Sequence, residues 1–137
     1  MKTIKGNLID LAFEGHFDII IQGCNCQCRM KSGIAKEIAR RIPKAEEIDN
    51  ETVRGDRSKL GGYSSSITEW EDGFGDSFVT INGYTQFYWG TDSRKVDYEA
   101  VRSVFRNVRN DYLSGYGASL KVAYPKIGCG LAGGDWE

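Results

Sequence analysis

Phe17-Asp18-Ile19-Ile20-Ile21-Gln22-Gly23-Cys24, then an irregular stretch from Asn25 to Ser32, then Gly33-Ile34-Ala35-Lys36-Glu37-Ile38-Ala39-Arg40-Arg41-Ile42, carries the clearest fold signal in the chain. Its first piece is a near-continuous apolar run of the kind a strand carries when both its faces are buried, so Asp18 to Cys24 reads as an interior strand. Its last piece repeats Ile34, Ile38 and Ile42 with Ala35 and Ala39 at helical spacing, leaves Lys36, Glu37, Arg40 and Arg41 to solvent, and stops at Pro43. A buried strand that passes through a loop into a glycine-opened helix is the unit of an α/β sheet, with room for a ligand at the strand's carboxyl end.

On the amino-terminal side, Thr3 to Lys5 reads as a short strand. Asn7 to Phe13 reads as a short helix stopped by Gly15, with Leu8, Leu11 and Ala12 toward the sheet. A second helical piece covers Lys44 to Asn50, and Gly55 to Gly62 has the glycine and polar density of a turn. Tyr63 to Glu69 and Phe78 to Gln86 are strands joined by a hairpin connection, Glu71 to Asp76. Asp97 is a good N-cap for a helix in which Tyr98, Val101, Val104, Phe105, Val108 and Tyr112 recur at intervals of three and four, running to about Ser114. Leu120 to Tyr124 is a further apolar strand, ended by Pro125.

With 137 residues the chain suits one domain, 1–137, built around one core. Eighteen Lys and Arg against nineteen Asp and Glu leave a net charge of −1, so no global positive field draws nucleic acid or an acidic membrane. Nucleic acid is expected only as a modified substrate. No long apolar run or signal-peptide pattern is present, so the expectation is a cytoplasmic protein, and a monomer, with no membrane contact. Cys24, Cys26 and Cys28 share a period of two that a strand would turn to one face. The C-x-C-x-C spacing does not match structural zinc knuckles, and the single histidine, His16, lies in a separate turn. The cysteines, Cys129 included, are expected to be reduced and partly buried, and neither a metal nor a cofactor is expected.

Two loops carry the chemistry. Met30 to Ala35 opens a helix, so its free backbone N–H groups and the positive end of the helix dipole are available to an anion. Ile127-Gly128-Cys129-Gly130-Leu131-Ala132-Gly133-Gly134 follows a strand and has little side-chain bulk to keep phosphate oxygens from its amides. Either loop alone is commonly a turn or a cap. Together they suit a diphosphate. Neither is a P-loop or a dinucleotide-binding fingerprint.

Read in order, Gly6-Asn7-Leu8, Ile20 to Cys26, Met30 to Ala35, Asn82-Gly83-Tyr84-Thr85-Gln86 and Pro125 to Leu131 resemble a macro domain, over nearly the whole chain. The resemblance is closest to the branch with phage and cellular ADP-ribose-1″-phosphate phosphatases and with enzymes that remove terminal ADP-ribose. It implies a three-layer α-β-α mixed sheet. Because the chain stops at Glu137, directly after the second loop, the usual C-terminal helix and strand are expected to be lacking.

The resemblance further implies an ADP-ribose cleft, with Asn7 and Leu8 at the adenine and Asn25 near the distal ribose. Ser32, Gly33, Ile34 and Ala35 would take the diphosphate from one side, and Gly128, Cys129, Gly130, Leu131, Ala132 and Gly133 from the other, with Thr85 and Gln86 lining the cleft. Where the family commonly has Asp, Asn7 keeps a carbonyl that can accept from the adenine amine. Asn25 has the plainer reading of a strand-end residue that bonds its own backbone. Similar glycohydrolases use a Lys where Gln86 stands, so a lysine adduct is excluded there. They often have an Asp where Ala132 stands, and some similar phosphatases have a His at Gln22. Asp135 is then the carboxylate nearest the second loop, read equally as a helix cap and as the group that activates a water, with Asn25 holding the ribose. The activity implied is metal-free hydrolysis of ADP-ribose 1″-phosphate. The alternatives are removal of ADP-ribose from protein or nucleic acid, and a non-catalytic reader of ADP-ribose-type nucleotides.

Overall fold

A computed structural model describes residues 6–31, 33–70, 76–89, 96–114 and 119–125. The interior strand is β1, Ile19–Asn25. It pairs in parallel with β3, Ser77–Gln86, on one side and with β4, Val122–Ala123, on the other. β2, Tyr63–Glu69, runs antiparallel to β3 at the edge, which gives the order β2-β3-β1-β4. The sheet is therefore mixed, and its three parallel strands end at one edge.

Side-chain alternation along β1 assembles the layers. Ile20 packs with Ile9 and Ala12 of α1 (Leu8–Phe13), Ile38 of α2 (Gly33–Arg41) and Ala45 of α3 (Pro43–Asn50). On the opposite face Ile19 and Ile21 pack with Val101, Val104 and Val108 of α4, Tyr98–Tyr112. This is the three-layer α/β/α arrangement that the resemblance to a macro domain implied, and β1 is the interior strand expected from the apolar run. All three isoleucines are almost wholly buried. At about 1.5–3 kcal/mol for each buried side chain, β1 is the strand around which the domain coheres. α4 sits close on β3 because residue 83 is glycine: a Cβ there would lie 2.6 Å from Val104 Cγ1.

Local chemistry sets the element ends. Asn7 Oδ1 accepts from the amides of Ile9 and Asp10 and starts α1, and Gly15 turns the chain away at φ +87°. α2 stops at Arg41, and Pro43 becomes the first residue of α3, one position earlier than the expected start, because proline suits the first helical turn. Asp97 caps α4 through the Ala100 amide, as its position in the sequence indicated. β2 spans the expected residues, and the Gly55 to Gly62 turn contains a single 3-10 turn, Arg57–Lys59. β4 is shorter than the expected Leu120 to Tyr124. The expected strand at Thr3 to Lys5 and most of the Glu71 to Asp76 connection lie outside the described residues.

The cysteine pattern needs correction. β1 ends at Asn25, so only Cys24 belongs to the strand. Cys26 and Cys28 lie in the turn that follows, Cys28 with a positive φ of 53°, and the period of two never becomes a single strand face. Cys24 and Cys26 are buried and reduced, and Cys28 is half-buried and reduced. Cys129 lies outside the described residues.

Candidate ligand cleft at the carboxyl edge of the sheet

The register brings Asn25 of β1 opposite Gln86 of β3, after a local shift between Cys24 and Asn25. From this edge the chain turns through Cys26 to Met30 and enters α2 at Gly33, whose φ of +61° is one that glycine adopts without strain. The first turn of α2 carries no acidic residue, and its last turn carries Arg40 and Arg41. An anion at the amino end therefore meets a helix dipole and no opposing carboxylate in that turn.

Asn25 is almost buried and holds the turn together. Its Nδ2 donates to the Arg29 carbonyl at 2.9 Å, and its Oδ1 accepts from the Gln27 amide at 2.9 Å. This is the backbone-bonding role that its position at a strand end allowed. A ribose contact would have to use the second Nδ2 hydrogen or the second Oδ1 lone pair. Asn7 has a similar restriction. Both lone pairs of its carbonyl oxygen face α1 amides, at 2.9 and 3.0 Å, so the group it has to offer a base is its NH₂ rather than the carbonyl expected to meet the adenine amine.

Gln22, which stands where similar phosphatases have a histidine, is fully buried in the sheet and donates to Asn82 Oδ1 at 2.8 Å. Thr85 is wholly buried too, and its hydroxyl has no partner among the described residues. Gln86 is half-buried and turns its Nε2 to the Tyr88 carbonyl at 2.7 Å. His16 is exposed in a bend, consistent with a surface turn residue. Ser32, Gly128 to Gly133 and Asp135 lie outside the described residues.

No protein-family model matches the chain. An uncharacterised 17.5 kDa protein from the tk-vs intergenic region of Enterobacteria phage T4 is 32% identical over 138 residues, covering 100% of this chain and 83% of the phage protein. Among solved structures, the macrodomain of Thermus aquaticus DarG is similar with a TM-score of 0.67 and 16% identity, covering 97% of this chain and 80% of that one. For the macrodomain of Mycobacterium tuberculosis DarG the TM-score is 0.64 and the identity 20%, over 96% and 79%. Thermosipho africanus DarTG, solved in complex with ADP-ribose, has a TM-score of 0.66 and 17% identity, over 89% of this chain and 32% of its own length. The chain belongs to the phage protein's family and has the macro-domain fold.

Beneath the carboxyl edge the macro-domain fold of this chain holds a polar network that the sequence did not indicate. Asn82 Nδ2 donates to Ser64 Oγ at 3.1 Å, and Tyr84 OH lies 2.8 Å from Ser64 Oγ and donates to Asp49 Oδ1 at 2.8 Å. Asp49 is almost wholly buried. Burial pushes its carboxyl up, while the Tyr84 hydrogen bond and the Lys59 charge pull it back. Lys59 Nζ lies 4.9 Å from the Tyr84 ring centroid, 2.8 Å from Thr52 Oγ1 and 3.7 Å from Cys28 Sγ. Burial pushes the thiols of Cys24 and Cys26 up as well. Asp49 ends a polar helix and Lys59 sits in a turn, so no periodicity marked either one. A shallow depression of about 340 Å³, lined by Phe13, Pro43 and Ile67 among others, lies near the opposite, amino edge of the parallel strands. Among the described residues, no helix is long and apolar enough to cross a membrane.

Proposed function

We propose that this macro domain binds ADP-ribose, with the diphosphate held between Ser32 to Ala35 and Gly128 to Gly133, and that it hydrolyses ADP-ribose 1″-phosphate to ADP-ribose and phosphate without a metal. The observation that carries the reading is the amino end of α2, which follows the β1 turn at the carboxyl edge with a left-handed glycine and no carboxylate in its first turn. The ADP-ribose in the structure of the similar Thermosipho protein supports the choice of ligand. Three or four amide bonds to a charged group, at roughly 1.5–3 kcal/mol each, together with burial of the base reach about −8 kcal/mol after association costs, a micromolar complex.

In the hydrolytic step Asp135 accepts a proton from a water whose oxygen attacks the terminal phosphorus. The bond between phosphorus and the 1″ oxygen breaks, and that oxygen takes up a proton as ADP-ribose leaves. Asn25 keeps the turn that borders the distal ribose, and Gln86 lines that end of the cleft, whereas Thr85, expected beside it, is wholly buried beneath. The protein acts as a monomer in the cytoplasm, and removal of ADP-ribose from a macromolecule is disfavoured by Gln86 and Ala132. Phosphate release from ADP-ribose 1″-phosphate tests the reading. It should exceed the rate of Asp135→Ala, and release equal to that background, with binding intact, would leave a binder of ADP-ribose only.

A further inference from the structure

Three segments meet beside the cleft and raise a ridge of rings and cations. The amide of Cys26 and Nε2 of Gln27 both donate to the Phe87 carbonyl at 3.1 Å, and the Gly55 amide donates to the Cys26 carbonyl at 2.7 Å. These bonds fix the 26–29 turn, the 55–59 turn and the 87–89 segment against one another. On this frame the Arg29 guanidinium lies 4.4 Å from the Trp89 ring centroid and that of Arg57 lies 3.9 Å from the Phe87 ring. Phe87, Tyr88 and Trp89 are in ring contact in series, with centroids 5.6 and 4.9 Å apart. Tyr88 is 50% exposed and Trp89 39% exposed, although burying such rings would be favourable. Arg29 and Arg57 are exposed, as are Lys31 and Arg54 just beyond their segments in the chain, and Asp56 is the one acidic residue within the three segments. The ridge is thus locally cationic on a chain whose net charge is −1.

We propose that this ridge is a docking surface for single-stranded nucleic acid. Bases stack on exposed rings and on guanidinium planes, phosphates pair with the surrounding arginines, and the combination suits a single strand, whose base faces are open, rather than a duplex. An acidic peptide would use the charges but would leave the rings without a planar partner. The surface rests on its own contacts and stands whether or not the adjoining cleft takes ADP-ribose.

Fluorescence anisotropy of a labelled oligothymidylate with the full chain tests this, together with quenching of Trp89 emission. The expected result is micromolar binding at about 50 mM salt. With about three phosphates neutralised, the slope of log K against log salt should be about −2. Trp89→Ala should weaken binding about tenfold, the scale of one base-stacking contact, whereas Trp89→Phe retains most of it. Arg57→Ala should flatten the salt slope by about 0.7. ADP-ribose affinity of Trp89→Ala, measured by calorimetry, should equal that of the parent. The proposal is overturned if the oligonucleotide does not bind, if Trp89→Ala binds it unchanged, or if polyglutamate displaces it at equal charge. It also falls if Trp89→Ala weakens ADP-ribose and oligonucleotide alike, since the ridge would then belong to the nucleotide cleft. Oligonucleotide binding by a chain that fails to bind ADP-ribose would refute the proposed function and leave this surface standing.

Discussion

Asn25 and Asp49 show how much one side chain governs at this edge of the sheet. Asn25 satisfies two backbone groups of the turn that leads toward α2. Asn25→Ala should therefore cost about 1–3 kcal/mol of stability, measured by denaturant unfolding, and a loss near zero would mean that the turn holds without it. Asp49 gives a pH signature of unusual sign. Burial raises its carboxyl above the unfolded value, so the folded state binds the proton more tightly, and the stabilisation this group provides is lost as pH rises through the raised value. Asp49→Asn keeps an acceptor for Tyr84 and removes the titration. Its stability relative to the parent should improve as pH rises from acid toward neutral, and a difference that shrinks over that range would contradict the assignment. Burial also raises the thiols of Cys24 and Cys26, whereas Cys28 is half-buried, so among these three a thiol reagent at neutral pH should label Cys28 first, as read by mass spectrometry.

The packing of α4 on β3 depends on a position without a side chain. Gly83→Ala puts a methyl against Val104 and should destabilise by about 1–3 kcal/mol, seen as a lower unfolding midpoint, because the helix must lift or Val104 must leave its rotamer. Elements of this kind were legible in the sequence where periodicity and caps agree: the Ile19 to Ile21 run, the Ile34 to Ile42 spacing and the Asp97 cap each gave an element within a residue or two of its observed ends. The site was legible only in outline. The sequence indicates that a glycine opens α2 and that Asn25 ends a strand and can bond its own backbone, but not that both lone pairs of the Asn7 carbonyl are already engaged by α1 amides. Such bonds depend on local turn geometry rather than on residue type. Asp49, Lys59 and Tyr84 meet only through the tertiary fold, from segments that read as a polar helix, a turn and a strand.

At the scale of the whole molecule, three parallel strands ending at one edge set a helix amino end, a strand-end asparagine and a cationic aromatic ridge side by side. A net charge of −1 concealed that local concentration of arginine, because acidic residues elsewhere cancel it in the sum. If the amides opening α2 receive a diphosphate, calorimetric titration of ADP-ribose into the parent chain and into Gly33→Glu will show it. Micromolar binding is expected of the parent and none of Gly33→Glu, whose side chain brings bulk and negative charge to those amides at a strain of only about 1–2 kcal/mol for the positive φ, with the fold verified by circular dichroism. Equal heats from both proteins, or no heat from the parent at millimolar ADP-ribose, would contradict it.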